Sequence, residues 1–200
     1  MPLSVGILIF DDVEVLDCCG PFEVFATTVL PGDDASSGSR PFNVFTVAEE
    51  SRLVRCRGGL MVQPHHTIND HPALDIVVVP GGWGTRREVN NPRLIEWIRS
   101  QAELRSLITS VCTGAFMLGA AGLLDGQEAT THWASIERLR ATHPLAHVHD
   151  DVRFTDNGRV VTSAGISAGI DMSLHLVGRL LGPDVAAHTA RNMEYEGYAG

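Results

Sequence analysis

Cys112 stands where an apolar run, Leu107 to Val111, meets Thr113 and Gly114, and a glycine there lets a helix begin at once. A buried strand that turns sharply into a helix presents its turn residue at the carboxyl edge of a sheet, facing unpaired helix amides. That setting favours negative charge, so the expectation is a Cys112 thiol of lowered pKa, partly thiolate and able to attack an electrophile. The competing reading is a buried cysteine acting as a small hydrophobe. A thiolate nucleophile needs a proton donor or acceptor, and donors for any anion that forms. Asp17 is the candidate acid or base, unless it only caps the helix that follows it. The amides of Gly82 and Thr113 are candidate oxyanion donors, although a Gly-Gly pair after a strand also serves turn geometry alone. His132, in Thr-Thr-His-Trp, either pairs with the thiol, lines the pocket or is a packed, hydrogen-bonded histidine.

A second cluster resembles a metal set. His147 and His149 would share one strand face, with His143, Asp150 and Asp151 nearby. These residues precede a strand, away from the other candidates, and a charged, solvated connection accounts for them. No metal and no cofactor are expected.

The elements that must position the candidates follow from hydrophobic patterning. Ser4–Phe10 and Leu74–Pro80 are unbroken apolar, β-prone runs, as expected of strands buried on both faces, and the second ends directly in Gly81 and Gly82. Gly20 and Pro21 are expected to open a helix with Phe22, Val24 and Phe25 on its apolar side, which places Asp17 in the loop before it. Pro31–Arg40 reads as a solvated loop, Phe42–Ala48 as a strand, and the segment from Leu53 as a hairpin turning at Gly58 and Gly59. Asn91 and Pro92 start an amphipathic helix with Leu94, Ile95, Ile98 and Leu104 on its apolar face. After Cys112 come a buried helix to Gly122, a short strand and a helix over Ser135–Arg140. A hairpin about Asn157 and Gly158 follows, with a type I′ turn, and then helices over Gly165–Leu181 and Pro183–Asn192. Strands alternating with helices predict an α/β architecture, a mostly parallel sheet with helices on both faces. Ligands in such sheets bind at the carboxyl ends of the strands, so Asp11–Asp17, Gly81–Trp83 and Cys112 with Thr113 should converge on one rim.

Composition bounds the function. With 200 residues, 44% of them hydrophobic, the chain suits a single domain over residues 1–200. A formal net charge of −9, with the 15 Lys and Arg scattered, argues against nucleic acid as a direct partner; the partner expected at the rim is a small-molecule substrate. Cys18, Cys19, Cys56 and Cys112 lack metal-site spacing, and an adjacent pair suits a reducing cytoplasm better than a disulfide framework. No run reaches the length of a membrane span, and Asp11 and Asp12 stand where a signal peptide would need its cleavage region.

Ser110 to Trp133, together with Gly6 to Phe25, Pro-Gly-Gly-Trp-Gly from Pro80 and Ala-Gly-Ile-Ser-Ala-Gly from Ala164, resembles the ThiJ/PfpI superfamily, and within it the isocyanide hydratases. The likeness runs from Val5 to about Tyr195. It implies a flavodoxin-like three-layer sandwich with a cysteine nucleophile elbow, and a homodimer. By the same resemblance Cys112 is the nucleophile, Asp17 the general acid and base, and Thr113 the support of the thiolate. Gly82 contributes a backbone amide, His132 lies near the pocket and Ile166 packs against it. Trp83, Cys18, Cys19 and Ile166 are expected to shape the pocket wall. The reaction implied is hydration of an isocyanide to an N-substituted formamide. The motifs are shared with glyoxalase-type enzymes acting on α-oxoaldehydes and with the ligand-binding domains of AraC-type regulators. The regulator reading is disfavoured, as an expectation, by the lack of room for a helix-turn-helix domain before Gly200.

Overall fold

Apolar β-branched runs make the middle of the sheet because only a strand covered on both faces can keep such a run out of water. The computed structural model describes residues 1–30, 32, 40–104 and 106–196, so the loop expected at Pro31–Arg40 lies outside the described residues except for Gly32 and Arg40. In chain order the elements are β1 (Leu3–Leu8), α1 (Val15–Thr27), β2 (Phe42–Ala48), β3 (Val54–Arg55), β4 (Met61–Val62), β5 (His66–Thr67), β6 (Ile76–Val79), α2 (Thr85–Glu88), α3 (Pro92–Glu103) and β7 (Leu107–Val111). Then come α4 (Ala115–Ala120), β8 (Glu128–Ala129), α5 (Ile136–Thr142), β9 (His147–Val148), β10 (Phe154–Asp156), β11 (Val160–Ser163), α6 (Ala168–Leu181) and α7 (Pro183–Asn192).

Seven strands form one sheet in the order β10-β11-β7-β6-β1-β2-β5, parallel throughout except for β10 against β11. Every residue of β6 and β7 is buried. Helices α1, α6 and α7 pack together as one layer, and α2, α3 and α4 as another, which gives the α/β flavodoxin-like sandwich. The strand order reverses between β1 and β6, and a crevice opens beyond the carboxyl ends of parallel strands at such a point.

Four local expectations change. Helix α1 starts at Val15, so Asp17 lies in its first turn and not in a preceding loop. The cause is tertiary: Val13 forms an isolated bridge with Gly82, and the Glu14 amide donates to the Gly81 carbonyl at 3.0 Å, which turns the chain into the helix early. Pro21 is absorbed inside the helix, where its missing N–H cannot bond the Asp17 carbonyl. Leu104 is 74% exposed, because α3 ends at Glu103 and the periodicity stops with it; Trp97 is buried on that face instead. Among the described residues Asn157 is not at positive φ. Gly158, at φ 83°, takes the first central position of the turn closed by Asn157 N–H to Val160 O, the place a type II′ turn gives to glycine. Helix α6 begins at Ala168, after Ile166 has taken φ 34°.

Candidate active site

The elbow is built where β7 ends. Cys112 has φ 57°, a left-handed conformation that a side chain adopts only when its surroundings hold it there. Its amide donates to the Ala164 carbonyl at 3.2 Å, and its carbonyl accepts from the Thr131 hydroxyl at 2.7 Å. A 3-10 turn, Cys112–Gly114, leads into α4. Gly114 is required there, since a Cβ would lie 2.0 Å from the Val79 carbonyl oxygen at the end of β6. Cys112 is therefore held through its backbone and is, as a residue, only 6% exposed.

Beneath it, Asp17 is fully buried. Oδ2 accepts from the Gly81 amide at 3.0 Å, while Oδ1 has no partner among the described residues. Burial raises the carboxyl to about 7, helped by the Glu14 carboxylate; the Gly81 amide and the Cys112 thiol oppose the rise. The expected lowering of the Cys112 thiol does not occur. Burial pushes it up to about 12, the Asp17 carboxylate adds to this, and only the amide and hydroxyl of Thr113 pull down. One turn of 3-10 helix and a short α4 are too weak a dipole to offset the desolvation of a charge beside a carboxylate. The two groups face each other and titrate as a pair, which holds one proton between these two steps.

The Gly-Gly pair does a different job from the one expected. The Gly82 amide is occupied by Thr113 Oγ1 at 3.0 Å, so it is not free for an oxyanion; Thr85 Oγ1 also lies 3.0 Å from that hydroxyl. Gly81, expected on the rim but given no role of its own there, is the glycine that meets the carboxylate. A Cβ there would lie 2.5 Å from the Thr113 amide nitrogen and 2.8 Å from Asp17 Oδ2. The signal was present in the two adjacent glycines; which of them meets the carboxylate depends on the packing of α1.

Gly82, Trp83, Cys112, Thr113, His132 and Ile166 line one cleft of about 260 Å³, with Asp17 behind the thiol. His132 does not bond the thiol: its Nδ1 accepts from the Ala134 amide at 3.2 Å, and its ring packs on Gly165. Cys18 and Cys19 do not line the cleft. Cys18 is buried beside Cys56, and Cys19 is exposed on α1. The metal-like histidines are separately engaged, His143 against Phe116 and Gly119 and His149 with the Glu128 carboxylate. Sequence reasoning missed the charged wall, Glu14, Arg57, Arg86 and Arg138, because scattered arginines carry no periodic signal.

The family model for DJ-1/PfpI matches residues 3–179. The chain belongs to the DJ-1/PfpI family. Among DJ-1/PfpI relatives it is 38% identical over 195 residues to an isonitrile hydratase of Pseudomonas putida, an alignment covering 98% of this chain and 79% of that protein. It is 29% identical over 195 residues to the HTH-type transcriptional regulator GbdR of Pseudomonas aeruginosa, of whose length the alignment covers about half, 51%. The crystal structure of a ThiJ/PfpI family protein from Pseudomonas syringae superposes with a TM-score of 0.85 at 26% identity, covering 99% of this chain and 77% of that one. Among the described residues no helix is long and apolar enough to cross a membrane.

Proposed function

We propose that this DJ-1/PfpI protein hydrates an isocyanide to an N-substituted formamide, with Cys112 as nucleophile and Asp17 as general acid and base. The observation that carries the reading is the buried Asp17 carboxyl, raised to about 7 beside the thiol, with one oxygen that has no partner among the described residues: an acid and base placed to carry the thiol proton to a reacting carbon. The 38% identity to an isonitrile hydratase supports the substrate class. In the proposed sequence the Cys112 thiol gives its proton to the Asp17 carboxylate as the sulfur bonds to the terminal carbon of R–N≡C, and Asp17 delivers that proton to the same carbon, forming a thioimidate. Asp17, now ionised, takes a proton from the water that adds to the carbon and passes it to nitrogen. It then accepts the hydroxyl proton as the C–S bond breaks and returns it to the departing sulfur, releasing the formamide and restoring the starting pair.

His132 argues against an α-oxoaldehyde enzyme with a histidine base. Its Nδ1 lone pair is engaged by the Ala134 amide, so the ring offers the cleft an Nε2 donor. The likeness to GbdR supports a second reading, a cleft that binds a metabolite without turning it over. Assay of the purified protein with a simple alkyl isocyanide separates the two. Formamide production by the wild type, lost in both Cys112→Ala and Asp17→Asn, is expected. Turnover that survives in Cys112→Ala removes the covalent mechanism, and binding without turnover favours the sensor. We also propose a cytoplasmic homodimer; the four free thiols support the compartment.

A further inference from the structure

The charges on the cleft wall are unbalanced. Glu14 is engaged by Arg57 at 2.7 Å, and the Arg57 guanidinium lies 4.6 Å over the Trp83 ring, so that cation is neutralised and fixed. Arg86, on α2, and Arg138, on α5, remain; among the described residues neither has a carboxylate partner. Arg138 is steadied by the Phe116 ring, 4.2 Å from its guanidinium carbon. Partial burial and the nearby Arg86 charge both disfavour its charged form. Two repelling guanidinium groups beside a thiol, in a chain with a formal charge of −9, form a local inversion of sign. Like charges held together cost free energy that a bound anion recovers, and guanidinium pairs suit the two oxygens of a carboxylate.

We propose that the substrate of this cleft is a small acid, its carboxylate held by Arg86 and Arg138 while its reacting group reaches Cys112. A volume of about 260 Å³ restricts it to a compact molecule. An uncharged alkyl isocyanide leaves both cations unpaired and is the poorer substrate. Under the hydratase reading, on which the identity of the reacting group rests, the substrate is an isocyano carboxylic acid.

Two measurements keep this proposal apart from that reading. First, kcat/KM is compared for isocyanoacetate and its neutral methyl ester. The acid is expected to be preferred by about tenfold, one charge-assisted hydrogen bond in magnitude, with the preference lost in the Arg86→Gln, Arg138→Gln double variant. Second, alkylation of Cys112 by iodoacetate and by iodoacetamide is followed by peptide mass spectrometry, with the exposed Cys19 of the same molecules as reference. This arm requires no turnover. An iodoacetate-to-iodoacetamide ratio higher at Cys112 than at Cys19, and reduced in the double variant, supports the anion site even if isocyanides are not hydrated. A ratio no higher than at Cys19 overturns it. Equal turnover of acid and ester overturns it while leaving the hydratase reading intact.

Discussion

Asp17 is the residue whose setting departs furthest from what its type prefers. A fully buried carboxyl with one oxygen unpartnered among the described residues stays neutral more readily than a solvated one, hence its rise from 3.8 to about 7. Linkage makes this a statement about stability. The folded chain keeps a proton that the unfolded chain has lost, so the contribution is complete below about pH 4 and disappears as pH climbs through about 7. Its full size is on the order of 4 kcal/mol. Asp17→Asn removes that dependence. Thermal melts should therefore show the variant gaining on the wild type between pH 4.5 and pH 8; parallel melting curves across that range would mean the carboxyl is not buried as described. The cysteine was legible because an apolar run meeting Cys-Thr-Gly is a local pattern. The sign of its pKa shift was not, because desolvation and the Asp17 charge come from residues distant in sequence.

At the scale of elements, the site is a junction of three backbone turns that hold one another. The end of β6 supplies Gly81 and Gly82, whose amides bind Asp17 of α1 and Thr113 of the elbow. The start of α1 returns the contact through Glu14 to Gly81, and the elbow is pinned by Thr131 and Ala164. A methyl group at Gly81 would intrude on both the elbow amide and the carboxylate. Gly81→Ala is expected to retain its far-ultraviolet circular dichroism and lose about 100-fold or more in kcat/KM, since an ångström of misplacement at a reacting pair is enough for that. An alanine variant with wild-type turnover would show that the junction does not position the pair. The rim convergence was readable from the strand pattern, because the carboxyl ends of parallel strands share an edge. The start of α1 was not: Gly-Pro reads locally as a helix opening, and the Val13–Gly82 bridge that starts the helix earlier is a tertiary contact.

For the whole molecule, burial on both faces of β6 and β7 and the helical layers account for one core, and the chain leaves apolar side chains outside it. Leu16 on α1 and Leu53, Leu60 and Met61 on or beside the β3–β4 hairpin are exposed, and the hairpin is tied to the start of α1 by the Arg57 amide on the Val13 carbonyl. Covering these groups with a second copy fits the proposed homodimer. Light scattering at micromolar concentration should give twice the 21.6 kDa chain mass, and a monomer at that concentration would rule the dimer out. The sequence by itself determined the alternation of strands and helices, the parallel sheet, the elbow cysteine and the rim on which Asp17, Gly82 and Cys112 meet. Each follows from local periodicity, glycine placement or the topology of parallel strands. Only the tertiary structure decided that Asp17 sits in a helix, that the Gly82 amide is spent on Thr113, that the thiol is raised and that Arg86 and Arg138 stand at the cleft with no carboxylate partner among the described residues. Burial, charge pairing and the direction of an amide are sums over neighbours far apart in the chain, and no local pattern contains them.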